Sequence, residues 1–200
     1  LIQSNGFREY ILTQGIHNDK IIFYPNPTEE FYKPLKEVNE YKEFFKSDFF
    51  NIVFAGNIGE AQSFKTIIEA VNNIKELPVN VIVIGDGRYK KTALNLIKEK
   101  GLENHFNFLD SFPSTEMPKF FAHADGLLVS LKKNKIFSLT IPAKIQSYLA
   151  CAKPIIASID GIGAKIVTDA NCGVVSPAEN MLVLSDRIKE LMSLDKSKLY

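Results

Sequence analysis

The sequence lacks the features that mark several classes of protein. It has no tryptophan, three isolated histidines and only two cysteines, Cys151 and Cys172, among 200 residues. A disulfide framework or a zinc site is therefore not expected, and a reducing cytoplasm is the simplest location. The net charge is only +1, so no basic field predicts a nucleic-acid partner. No apolar run approaches the roughly 18 residues of a membrane-spanning helix.

From residue 49 onward, short apolar runs alternate with longer amphipathic segments. The runs predict strands at residues 52–55, 79–84, 106–109, 126–131, 154–158 and 173–176. The segments predict helices at residues 64–77, 90–100, 114–124, 142–152, 164–170 and 178–194. Strands without polar alternation are buried on both faces, and intervening helices indicate parallel βαβ units. The sequence therefore predicts an α/β fold, a doubly wound, Rossmann-like parallel sheet of about six strands.

Residues 1–48 do not share this regularity, and prolines at positions 25 and 27 interrupt them. We interpret residues 1–48 as the tail of a preceding N-terminal domain plus a linker, and residues 49–200 as the Rossmann-like domain. Because the chain begins at Leu1 rather than at a methionine, we expect it to be a fragment of a longer protein.

Ligands of such sheets bind beyond the carboxyl ends of the strands, near the point where the strand order reverses. Gly56 and Gly59 follow the first strand and would let backbone amides approach an anion, although they also suit a plain turn. The Gly85-Asp86-Gly87 turn after the second strand has the same two interpretations. Residues 159–163 offer another loop of small residues before a helix.

Lys144 occupies the first turn of the helix predicted at 142–152. A cation there opposes the helix macrodipole, so its position favours a bound anion nearby. The preceding lysines, Lys132, Lys133 and Lys135, are more typical of a solvated loop.

Six stretches, taken in order, resemble the C-terminal, donor-binding domain of a family-4 glycosyltransferase of the GT-B type, which has two Rossmann-like domains. They are FAGNIGEAQ (54–62), VIGDG (83–87), AD (124–125), TIPAKIQSYLA (140–150), KPIIAS (153–158) and CGVVSP (172–177). The first loop and the T-P-K segment are most similar to bacterial members that build O-antigen, capsule or exopolysaccharide units.

The resemblance implies binding of a nucleotide-diphospho-sugar, most often a UDP-sugar, and retaining transfer to a polysaccharide or lipid-linked acceptor without a metal or other cofactor. The implied donor and phosphate-binding residues are Gly56, Asn57, Ile58, Gln62, Thr140, Ile141 and Lys144. The implied base and ribose-binding residues are Gly85, Asp86, Gly87, Leu109 and Ser147, with Leu109 opening a base-bordering loop that runs to residue 112. The catalytic residues would lie in an N-terminal domain, so this fragment would transfer little sugar alone. A cytoplasmic location follows, with peripheral membrane association expected for the full-length protein.

Two positions depart from the family pattern. Leu139 and Ser147 stand where most members carry glutamates, the second of which accepts hydrogen bonds from the ribose. This leaves open a degenerate, non-catalytic GT-B-like domain that serves as a binding partner or scaffold. A sugar-nucleotide epimerase would need more carboxylates and histidines in its cleft loops, and a nicotinamide-dependent dehydrogenase would need a GxGxxG loop.

Overall fold

The computed structural model describes residues 1–36 and 38–194, and its centre is a parallel sheet of six strands. The strands are β1 (Phe50–Ala55), β2 (Val79–Ile84), β3 (Phe106–Leu109), β4 (Gly126–Ser130), β5 (Ile155–Ser158) and β6 (Gly173–Ser176). Their order in the sheet is β3-β2-β1-β4-β5-β6. This is the doubly wound Rossmann arrangement, which confirms the predicted fold. Residues 195–200 of the predicted domain lie outside the described part.

Eight α-helices belong to the described residues. They are α1 (Arg8–Thr13), α2 (Phe64–Asn72), α3 (Lys90–Lys100), α4 (Met117–His123), α5 (Lys135–Leu139), α6 (Ala143–Ala150), α7 (Ile162–Asp169) and α8 (Met181–Ser193). Helices α2, α3 and α8 pack on one face of the sheet. Helices α4, α6 and α7 pack on the other. No helix in the described ranges combines the length and the apolar character needed to cross a bilayer.

Burial on both faces explains why the strands are mostly apolar. Every residue of β1 and of β2 is buried, and the two strands pair in register from Phe50 with Val79 to Ala55 with Ile84. On its other side β1 pairs with β4. The chain leaves β1 toward one face and β4 toward the other, so a crevice opens between their carboxyl ends.

Side chains of the described residues before position 48 pack against the sheet domain. Ile2 forms a parallel bridge with Phe23. The Tyr41 ring stacks on Phe120 of α4 at a centroid distance of 4.0 Å, and the Tyr41 hydroxyl donates to the Glu116 carboxylate at 2.8 Å. The division of the chain at residue 48 stays a prediction, but this segment contributes side chains to the domain's surface.

The bounds of β2, β3, β6 and α3 agree with the sequence expectation, and those of the other predicted elements differ by one to five residues. Three of the differences have a local explanation. The helix predicted at 64–77 ends at Asn72, because the residues after it form turns. The helix predicted at 114–124 begins as a 3-10 turn, Ser114–Glu116, before α4. The loop predicted after the fourth strand contains α5, which is capped by the Asn134 side chain accepting from the Ile136 amide at 2.8 Å.

Candidate functional site

A cleft of about 520 Å³ opens at the carboxyl edge of the sheet, at the crevice beside β1. The loops after β1 and β2 form its floor, α6 forms one wall, and the segment after β3 and residues near position 30 close its sides. The lining residues are Glu29, Tyr32, Ala55, Gly56, Asn57, Ile84, Gly85, Asp86, Ser111, Phe112, Ser114, Met117, Phe121, Ala143, Lys144, Ser147 and Tyr148.

The floor depends on two loops whose backbones touch. Gly85 has a φ of +140°, and a Cβ there would lie 2.2 Å from the Gly56 carbonyl oxygen. The Gly56 amide donates to the Ile84 carbonyl and the Ile58 amide to the Asp86 carbonyl, both at 2.8 Å. These two amides are therefore engaged within the floor. Of residues 56–58, only Asn57 has an amide without an acceptor among the described residues.

Lys144 is the cation of the cleft. It starts on α6, and its side chain crosses the edge of the sheet to the opposite face. There Nζ lies 3.6 Å from the centroid of the Phe54 ring and 3.2 Å from the point where a Gly56 Cβ would stand. Burial lowers the pKa of Lys144 from 10.5 to about 7. No ion pair joins Lys144 to a carboxylate in the part of the chain that the structure describes.

The start of α6 adds free donors beside this amine. Pro142 precedes the helix and provides no side-chain cap. The amides of Ile141, Ala143 and Lys144 have no acceptor within the described residues, and the positive end of the helix dipole lies at this terminus. Ala143 and Lys144 line the cleft and Ile141 does not, so an anion in the cleft would meet the amides of Ala143 and Lys144 and one amine.

Hydroxyl and carboxyl groups line the rest of the cleft. The Ser147 hydroxyl lies 3.4 Å from the Thr28 hydroxyl, which brings the N-terminal segment onto α6. Burial raises the pKa values of Tyr32 and Tyr148, so both phenols stay protonated. Glu29 and Asp86 contribute exposed carboxylates.

The structure brings six of the twelve predicted site residues together in the cleft lining. They are Gly56, Asn57, Gly85, Asp86, Lys144 and Ser147. Four are glycines or neighbours of glycines in the two floor loops, and the other two lie on successive turns of α6.

The remaining six predicted residues lie outside the lining: Ile58, Gln62, Gly87, Leu109, Thr140 and Ile141. The Ile58 side chain is fully buried in the core. The Gln62 side chain instead accepts from the Gly59 amide at 3.1 Å, and the Thr140 hydroxyl donates to the Ile136 carbonyl at 2.8 Å. Their predicted contact with a ligand stays a prediction.

Sequence reasoning missed several lining residues. Glu29 and Tyr32 belong to the segment interpreted as a linker, and no local pattern there indicates a cleft. Met117, Phe121 and Tyr148 follow the helical spacing of core residues, so only the tertiary structure shows that they also face the cleft.

No group of three or more histidine, cysteine, aspartate or glutamate side chains in the described residues could hold a metal ion. That transfer needs no metal or other cofactor stays a prediction.

The strand order and the cleft at the reversal point define a doubly wound α/β protein of the kind that binds ligands beyond its strand ends. The chain belongs to the group 1 glycosyl transferases, since the sequence model of that family matches residues 36–199.

Two known proteins are similar to this chain in sequence. The chain is 29% identical over 100 residues to WcaI of Escherichia coli K12, a candidate colanic acid biosynthesis glycosyl transferase, covering 50% of this chain and 24% of WcaI. It is 26% identical over 142 residues to an uncharacterised glycosyltransferase of Methanocaldococcus jannaschii, covering 70% of this chain and 38% of that protein. The chain thus spans well under half of these relatives.

Among solved structures, the Anabaena protein HepE in complex with UDP and glucose has the same fold. The TM-score is 0.81 at 19% identity, and the match covers 98% of this chain and 54% of HepE.

Proposed function

We propose that this chain is the C-terminal, donor-binding domain of a retaining, metal-independent glycosyltransferase that uses a nucleotide-diphospho-sugar, with a UDP-sugar as the first candidate. The observation that carries the proposal is Lys144, an amine without an ion-pair partner in the described residues, placed at the switch point beside free helix amides. Such a site suits a diphosphate better than a neutral ligand.

The site's chemistry would act on the leaving group. When the glycosidic bond to the diphosphate breaks, negative charge grows on the phosphate oxygens. A preorganised ammonium group and amide donors stabilise that charge more in the transition state than in the ground state. On this proposal Lys144 supplies the charge, and the amides of Asn57 and Ala143 supply hydrogen bonds.

The rest of the cleft suits a nucleoside. Phe112, Met117 and Phe121 give an apolar wall for a base, and Ser147 offers a hydroxyl to a ribose. One hydroxyl binds a diol more weakly than a carboxylate does, by about 1 kcal/mol. We therefore expect modest affinity for the donor.

The kind of acceptor is a further part of the proposal. The name of WcaI supports assignment to polysaccharide biosynthesis in the cell envelope, and the UDP and glucose bound to HepE support a UDP-sugar donor. We propose a saccharide or lipid-linked acceptor and catalytic residues in an N-terminal domain, so the isolated fragment would be inactive. We propose a cytoplasmic location, with the full-length protein at the inner face of the membrane.

Calorimetric titration tests the proposal directly. The chain is titrated with UDP, UDP-glucose, GDP and NAD, in EDTA and then in Mg²⁺. We expect metal-independent binding of UDP, and Lys144→Ala should weaken it by about 1–3 kcal/mol, or roughly 5- to 150-fold. Lys65→Ala, at an exposed lysine of α2, is the matched control and should bind as the unaltered chain does. Unchanged affinity in Lys144→Ala would remove the lysine from the site.

A non-catalytic binding domain is the second candidate, and Ser147 and Leu139 favour it. Leu139 ends α5 with its backbone against Gly6, away from the cleft, and Ser147 carries no charge. Failure of every nucleotide to bind would support this second function.

A further inference from the structure

Three buried hydroxyl groups lie side by side at the carboxyl edge of the sheet. Ser130, Ser158 and Ser176 are the last residues of β4, β5 and β6, and the register pairs each with the next. Each is at most 1% exposed. None of the three Oγ atoms has a hydrogen-bond partner among the residues that the structure describes. Such groups are rare in folded proteins, because burial costs them their hydration.

All three side chains point to the face covered by α2, α3 and α8. Side chains alternate between the faces of a sheet, so each serine shares a face with the residue two positions before it. Those residues are Leu128, Ile156 and Val174, which belong to the core on that face. The serines therefore form a polar row at the upper rim of an apolar layer.

The Lys144 amine lies on the same face of the sheet, over Phe54 of β1. β1 is the other neighbour of β4, with which it pairs as far as Val53 with Leu127, and Phe54 and Leu128 belong to the same core layer. Gly56 shares a face with Phe54, but it has no side chain. Lys144 takes the space instead, with Nζ 3.2 Å from the point where the Cβ would stand. The edge of the sheet thus carries one amine and three hydroxyls on one face.

The spacing of the row fits water molecules between its members. Adjacent strands lie about 4.8 Å apart, and no direct hydrogen bond joins the three hydroxyl groups. Two O–H···O bonds of about 2.8 Å that meet at one water oxygen span about 4.6 Å. Buried waters in proteins occupy such positions between polar groups.

We propose that Ser130, Ser158 and Ser176 hold a row of internal water molecules that hydrogen-bonds to the Lys144 ammonium group from inside the sheet. The row replaces part of the hydration that the amine loses on burial, and it leaves the cleft side of the amine open. The row does not depend on what the cleft binds, whereas its value for donor binding rests on the proposed function.

Charged side chains in the described residues do not take the role of the water row as partners of the Lys144 amine. The titratable side chains that share the cleft with Lys144 are Glu29, Tyr32, Asp86 and Tyr148, and none forms an ion pair with it in the described residues. On the sheet side the amine contacts the Phe54 ring, which donates and accepts no conventional hydrogen bond. Hydrogen bonds to water favour the charged form of an amine, so losing the row should lower the pKa of Lys144.

An NMR titration measures that pKa directly. The chain carries ¹³C at the lysine Cε atoms, and Lys144→Arg identifies the signal. Ser130→Val removes the hydroxyl of β4, the strand next to β1, and fills its space. Ser176→Val makes the same change at the far end of the row and is the matched control. We expect Ser130→Val to lower the pKa of Lys144 by about one and Ser176→Val to lower it less, with similar losses in Tm. The same pKa in all three proteins would overturn the proposal.

A high-resolution crystal structure of the unaltered chain keeps the proposal testable if a valine variant does not fold. Ordered water between neighbouring hydroxyls is the expected result. Serine hydroxyls bonded directly to protein groups, or a dry gap between them, would refute the row. Neither experiment uses a nucleotide, so a chain that binds no UDP would refute the proposed function and leave the row standing.

Discussion

Replacing Lys144 by methionine should stabilise the free chain at neutral pH, and the gain should shrink as the pH rises. Burial lowers the pKa of Lys144 from 10.5 to about 7. The unfolded chain therefore holds more protons than the folded chain between these values, and stability rises with pH across that window. Since a difference of one in pKa corresponds to about 1.4 kcal/mol, the full fall corresponds to about 5 kcal/mol. The side chain is half-buried and its ammonium lies on the Phe54 ring, so we expect about half of this, roughly 2–3 kcal/mol.

The measurement is urea unfolding of both proteins at several pH values between about 7 and 10. The free energy of unfolding of one protein is subtracted from that of the other at each pH, and this difference cancels the contribution of every other titrating group. At neutral pH Lys144→Met should unfold with a free energy about 2–3 kcal/mol larger, and the two proteins should converge as the amine of the unfolded chain deprotonates. Lys65→Met, at an exposed position of α2, should differ from the unaltered chain by a constant. A constant difference for Lys144→Met as well would refute the argument that burial destabilises its charged form.

Three further predictions follow from the same contacts. Gly85→Ala should lower the free energy of unfolding by about 2–4 kcal/mol, because its Cβ would lie 2.2 Å from the Gly56 carbonyl oxygen. Gly101→Ala should lower it by only about 1 kcal/mol, since a Cβ there meets nothing within 4 Å. Equal losses in urea unfolding would contradict the contact. Tyr41→Ala should lower the free energy of unfolding by about 1–3 kcal/mol, because the Tyr41 ring stacks on Phe120. It should also speed proteolysis within residues 1–48. An unchanged Tm would show that this segment does not stabilise the domain. UDP affinity should fall by up to about tenfold per pH unit above pH 7, as the cleft lysine loses its proton, and calorimetry in buffers of different ionisation enthalpy should show proton uptake. A flat pH profile would exclude a charged amine from the site.

The sheet could be predicted from the sequence because its signals are local. The bounds of β2, β3, β6 and α3 were predicted to the residue, since these strands are short apolar runs and Gly101 ends its helix at a φ of +64°. α5 was missed because five residues give too short a period to detect. Its one local signal is Asn134, whose side chain caps the helix.

The site could be predicted only where it follows the strand ends. The glycine loops and the start of α6 come directly after strands, so Gly56, Gly85 and Lys144 were within reach of sequence reasoning. The side of the cleft that Glu29 and Tyr32 form could not be predicted. Thr28 and Tyr32 hold this segment against Ser147 of α6 and Phe121 of α4, which lie about a hundred residues away in sequence. The sequence also does not show that Lys144 starts on one face of the sheet and that its side chain places the amine on the other face.

The position of the Lys144 side chain adds a further role for Gly56. The sequence allowed two roles for it, a tight turn or close approach of the backbone to a ligand. The structure adds a third, because a Cβ there would lie 2.9 Å from Cε of Lys144. Loss of nucleotide binding in a Gly56 variant would therefore not establish backbone contact with a ligand. A double-mutant cycle with Lys144→Ala separates the two roles. If Gly56→Ala costs binding only while Lys144 is present, the glycine serves the lysine; if the cost persists without Lys144, the backbone of the loop itself meets the ligand.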